Sequence, residues 1–131
     1  MKHDILDRND VYLLVSKFYE KVKVDSEIGP FFHESIKNWD AHLEKITNFW
    51  ESSLFFISTY SGNPGRAHIK VDVENNNLIN EKSFGIWLNL WVQTINENFE
   101  GELAELAKHN ARKMATHLHI KIFTARQSIS K

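Results

Sequence analysis

Residues 39–68 read WDAHLEKITNFWESSLFFISTYSGNPGRAH, and this stretch decides the fold class. Trp39, His42, Leu43, Ile46, Phe49, Trp50 and Leu54 recur at helical spacing, so a helix expected over about 39–58 has one apolar, aromatic face. One histidine, His42, lies inside that face. The chain then enters Tyr60-Ser-Gly-Asn-Pro-Gly65, where two glycines and a proline end the helix and reverse its direction, and His68 follows at once. The helix rises roughly 27 Å and the residues after it span about as much when extended, so chain length permits His68 to face His42 across a slot.

Upstream, Asn9 or Asp10 can cap a helix in which Val11, Leu14, Val15, Phe18, Tyr19 and Val22 recur at i, i+3, i+4, i+7, i+8 and i+11. Tyr19 lies on that stripe, and a buried phenol needs a hydrogen-bond partner or a ligand. Gly29-Pro30 reads as a break, with Phe31 and Phe32 plugging the core from a short connection. Downstream, 68–80 carry no strong period and read as a loop that serves a purpose, the presentation of His68 being one. Asn80 is a suitable cap for a third helix with Phe84, Trp87, Leu88, Trp91, Ile95 and Phe99 on one side, and Glu100-Gly101 ends it. A fourth helix carries Leu103, Leu106, Ala107, Ala111, Met114, Leu118 and Ile122. Its His109, His117 and His119 share no face and read as surface residues, and 126–131 read as a frayed tail.

The composition suits one domain over 1–131: 42% of residues are hydrophobic and 25% charged. Nine Phe, four Trp and three Tyr against two Pro and five Gly describe a helical protein with flat apolar surface to spare. Sixteen Lys and Arg balance seventeen Asp and Glu with no basic run, which argues against nucleic acid as a partner. The lack of cysteine excludes disulfides, thiolate ligands and cysteine nucleophiles, so any metal takes N or O ligands. The segment MKHDILDRND lacks the apolar centre of a signal peptide, and the longest apolar run, 54–57, is too short for a membrane span, so a cytoplasmic protein is expected.

Taken singly, each polar group on these stripes has a plain explanation: a lone histidine on an apolar face is more often a satisfied core residue, and Lys45 one turn on is more often solvated. Together, Tyr19, His42 and Trp87 each offer an N–H or O–H donor from an apolar face, with His68 after the reversal. A plain core does not need so many donors. A flat, apolar, iron-bearing ring ligated by His68 suits them. Two other readings stand beside it on the residues alone: a haem-free helical module whose aromatic stripes bind a partner helix or an apolar ligand, and a di-histidine Zn or Fe site drawing on His33 with Glu34 or Asp40.

Five segments in register add a resemblance. Phe18-Tyr19-Glu-Lys-Val22, Ile28-Gly-Pro-Phe-Phe32, His42-Leu-Glu-Lys-Ile46 with Asn48-Phe-Trp50, Tyr60-Ser-Gly-Asn-Pro64 with His68, and Phe84-Gly-Ile-Trp-Leu88 resemble those of truncated haemoglobins, in the order and spacing of the third group. The likeness covers about Ile5 to Ile122; the paired glycines of other groups are absent. It implies an all-α, two-over-two helical sandwich whose first helix and proximal-histidine helix are very short. It also implies haem b, with His68 as proximal iron ligand and Tyr19, His42 and Trp87 as the distal cluster. By the same resemblance Phe32, Ile46, Phe49, Trp50 and Trp91 line the ring, and Lys45 and Arg66 reach its propionates. Such a pocket would take O2, NO, CO and peroxide. Its donors favour holding O2 for redox chemistry over transport, as in a nitric oxide dioxygenase-like or peroxidase-like oxidoreductase served by a separate electron donor. Storage or sensing of O2 is the alternative within the haem reading.

Overall fold

A computed structural model of the protein describes residues 2–56 and 81–129, with the side chains of 2–56 and 82–116. Five helices follow in order: α1 (Arg8–Val24), α2 (Gly29–Ser35), α3 (Trp39–Phe55), α4 (Glu81–Asn98) and α5 (Glu102–Ile129). The chain is all-α over these residues. α1 packs on α3 and α4, α4 packs on α5, and α5 also reaches α3, so two helix pairs lie one over the other. Residues 2–6 are not helical, as expected of a nearly lost first helix.

The periodicity of α1 becomes the core: Val11, Leu14, Val15, Phe18, Tyr19 and Val22 are all buried. Its cap is Asp7, however, not Asn9 or Asp10. Asp7 is extended and its carboxylate accepts from the Asp10 N–H at 3.1 Å, while the Asp10 carboxylate reaches back to the Leu6 N–H at 2.9 Å. This reciprocal pair satisfies the first turn and moves the helix start ahead of both expected caps. A second correction concerns Gly29-Pro30, which opens α2 instead of breaking the chain. Proline lies in the first turn, where its missing N–H is no loss. Gly29 is required there, because a Cβ would stand 2.9 Å from the Val22 carbonyl oxygen.

α3 starts on Asn38, whose side chain accepts from the Ala41 N–H. It stops at Phe55, three residues short of expectation, because Phe56 turns into the left-handed region at φ 57°. α5 is 28 residues long and runs to Ile129, past the point where fraying was expected. Ala104, Ala107 and Ala111 are buried along it, and these small side chains let α4 approach closely. Among the described residues, no helix is long and apolar enough to cross a membrane.

The corner before α5 is built by residues far away in sequence. Asp4 accepts from the N–H groups of Leu103 and Ala104, both at 2.9 Å, and so caps α5 from the N-terminal arm. Gly101, at φ +146°, leaves the room, since a Cβ there would stand 2.4 Å from the Asp4 carboxyl carbon. Partial burial acts to raise the Asp4 carboxyl, but backbone N–H groups of Leu103, Ala104, Ile5 and Glu102 outweigh it and hold it below its usual value. A depressed carboxylate stabilises the fold above its unfolded pKa, about 3.9, and loses that contribution as pH falls through the folded value. Asp4→Ala should therefore cost about 1–2 kcal/mol at neutral pH, the range for a lost helix cap. The deficit should shrink toward zero in urea titrations repeated at progressively more acid pH; a deficit independent of pH would show that the carboxylate charge is not what caps α5.

Candidate functional site

α3 carries two stripes side by side. Thr47, Trp50, Glu51 and Leu54 are buried against the rest of the bundle. Next to them His42, Ile46 and Phe49 are only half-buried, a largely apolar stripe that is half-covered. The buried stripe is fixed by two devices. The Arg8 guanidinium bridges α1 to α3, donating to Asn48 Oδ1 at 2.6 Å and to Glu51 Oε1 at 2.9 Å. Trp50 stacks on Trp91 of α4, centroids 4.6 Å apart and planes 23° from parallel.

His42 projects from the half-covered stripe toward α1, where its Nε2 lies 3.0 Å from the Tyr19 hydroxyl. Tyr19 is 4% exposed. Its ring is held edge-on by Phe18, Phe32, Trp39 and His42, at centroid distances of 5.0, 5.9, 5.7 and 5.0 Å. Burial pushes the phenol well above its ordinary pKa, so the hydroxyl keeps its proton. Two arrangements satisfy the contact. Either Tyr19 donates to an unprotonated Nε2, or Nε2–H donates to the phenol oxygen and leaves the phenol proton for a further acceptor. Only the second makes Tyr19 a donor to something else.

Of the residues expected at the site, Tyr19 and His42 are brought into direct contact. Trp87 joins them through Phe18, against which it stands edge-on at 5.9 Å, and it is half-buried. Phe32 packs on Tyr19, and Ile46 and Phe49 lie on the His42 stripe. Trp50 and Trp91 are 2% and 0% exposed and face each other, and Trp91 Nε1 donates to the Ala107 carbonyl at 3.3 Å. Lys45 is exposed. His68 and Arg66 lie outside the described residues. Among the described residues, no three His, Asp or Glu side chains gather as a metal-binding group; the di-histidine reading also draws on His68, which lies outside them.

No family model matches the chain. It is 29% identical over 121 residues to the group 3 truncated haemoglobin ctb of Campylobacter jejuni, across 89% of this chain and 91% of that protein. The crystal structure of group III truncated haemoglobin from Campylobacter jejuni superposes with a TM-score of 0.82 at 28% identity, covering 93% of this chain and 95% of that one. The chain folds as a truncated globin. The 2/2 haemoglobin of Synechococcus sp. PCC 7002, solved in the cyanomet state with covalently attached haem, shares the fold alone, with a TM-score of 0.66 at 22% identity over 89% of this chain and 92% of that one. In this fold α1 over α3 and α4 over α5 are the two layers of the sandwich, and the Tyr19–His42 contact joins the α1 and α3 layer internally.

Apart from its place on the stripe, nothing in the residues marks Trp39 as part of the site. It stands edge-on to both Tyr19 and His42. The spacing of Trp39 and His42, three residues on a helix, was the available signal.

Proposed function

We propose that this truncated globin binds haem b beside the half-covered stripe of α3 and uses Tyr19, His42 and Trp87 as its distal donors. The observation that carries the reading is the buried Tyr19 hydroxyl at 3.0 Å from His42 Nε2. In the arrangement where His42 Nε2–H donates to the phenol oxygen, the buried phenol proton needs an acceptor outside the pair, and a small polar ligand supplies it. The residues fit the group: Ile46 and Phe49 offer an apolar face that protein covers only in part, Phe32 packs on Tyr19, and the buried Trp50–Trp91 stack backs Phe49 from the core. His68 is the proximal ligand in this reading, and Lys45 and Arg66 meet the propionates. Haem iron, when bound, supplies the site for O2, NO or CO.

What the chain's own residues do follows from their chemistry. With Nε2–H of His42 directed at the phenol oxygen, the Tyr19 proton is presented to the ligand, and Trp87 presents an indole N–H from α4. Donation to the partly negative oxygen of a diatomic ligand slows its escape. A slow-releasing pocket is a poor carrier and a good place to hold O2 until an oxidisable partner arrives. Nitric oxide is the partner we favour: one NO, one O2 and one electron from a separate donor give one nitrate, with no proton consumed. Mixing the O2-loaded protein with NO should yield nitrate in equal amount within the mixing time of a stopped-flow instrument. Nitrite as the main product, or loss of NO no faster than in buffer, would remove this substrate and leave storage, sensing or peroxide chemistry. A cytoplasmic location and a single functional domain over 1–131 belong to the same proposal.

A further inference from the structure

The Tyr19–His42 pair has a lid of its own. Trp39, the first residue of α3, stands edge-on to both members, at centroid distances of 5.7 and 5.9 Å with planes 65° and 84° apart. Over its ring Lys23, from the end of α1, holds its ammonium 4.3 Å from the indole centroid. His33 of α2 stands edge-on to the same indole at 6.0 Å, and its Nε2 lies 3.0 Å from the Lys23 carbonyl oxygen. The ends of three helices therefore converge on one ring. His33 is exposed, Lys23, Trp39 and His42 are half-buried and Tyr19 is buried, so exposure falls from the clamp toward the pair.

We propose that Trp39, clamped by Lys23 and His33, is a positioning residue that keeps His42 turned in toward Tyr19. On a helix, a side chain at i+3 shares a face with that at i, so the Trp39 indole flanks the His42 ring that it touches edge-on. Two edge-on contacts and a cation over the indole face all oppose the displacement of Trp39. The consequence for ligand retention rests on the proposed distal pocket; the positioning itself rests only on these contacts. Trp39 thereby holds His42 in the donor position.

Modification of individual histidines by diethyl pyrocarbonate, followed by peptide mass spectrometry on the full chain with and without haemin, tests this without reference to activity. The exposed His3 and His109 serve as internal standards. In Trp39→Leu the His42 rate should rise about tenfold, a factor that the loss of two edge-on aromatic contacts supports. Trp39→Phe, which keeps a ring edge, should restore the slow rate. A His42 rate unchanged in Trp39→Leu with His3 and His109 also unchanged overturns the proposal. If Trp39→Leu loosens the whole fold and all rates rise, Lys23→Met decides: a rise at His42 alone, about twofold for a lost surface cation–π contact, supports the clamp, and no change overturns it. Failure of haemin to bind would sink the distal-pocket reading and leave these rates standing as measured.

Discussion

Tyr19→Phe should release O2 from the haem-loaded protein about ten- to a hundredfold faster than wild type, the span that one lost hydrogen bond to a charged acceptor covers. The substitution keeps the ring and its four edge-on neighbours and removes one hydroxyl, so packing changes little. The pocket loses a donor that burial keeps protonated. Trp87→Phe removes the second donor from a different helix, and its half-buried position suggests the smaller increase of the two. Flash photolysis or stopped-flow displacement of O2 by CO measures both. Off-rates unchanged in both variants would mean that neither residue meets the ligand, and the distal assignment would fall with them.

The largest effect on stability is expected at Trp91. It is fully buried, stacks on Trp50, receives Phe18 edge-on at 5.1 Å with planes 89° apart, and donates to the Ala107 carbonyl of α5. One side chain thus ties α1, α3, α4 and α5. Trp91→Ala removes all of these contacts and opens a cavity where the layers meet, at a cost of about 3–5 kcal/mol. That is a large share of the roughly 5–15 kcal/mol by which a domain of this kind is stable. Trp91→Phe keeps a ring against Trp50 and loses the indole N–H, so it should cost less than half as much. Urea unfolding of the three proteins gives the comparison; a loss below about 1 kcal/mol in Trp91→Ala would show that the stack is not central to the core.

The two tryptophans also show what sequence could and could not reveal. Their apolar spacing on α3 and α4 is plain, and it places both on buried faces. That they turn toward each other depends on how two helices separated by a long segment cross, which spacing within each helix does not encode. The stripe of α1 was fully legible, because six apolar residues at the helical period have one way to be buried together. α2 was not: seven residues are too few to show a period, and Gly-Pro signals a helix start as well as a chain break. Asp4 on the N-terminus of α5 and Arg8 on Glu51 join residues 99 and 43 apart. Their types are ordinary for solvated surface positions, and only the assembled fold gives them partners. The Tyr19–His42 contact stands between these cases, since each was marked by being polar on an apolar stripe and the register of α1 against α3 supplied the pairing.

The most direct test of the central claim is haemin titration of the purified protein, wild type against His68→Ala, followed by absorption spectroscopy of the ferric, ferrous and CO-bound forms. The wild type should take up one haemin per chain, with a sharp Soret band that shifts on reduction and again on CO, and the variant should show a displaced or lost band. Wild-type protein that takes up no stoichiometric haemin would contradict the claim, and the aromatic stripes would then be a partner-binding surface or a plain core.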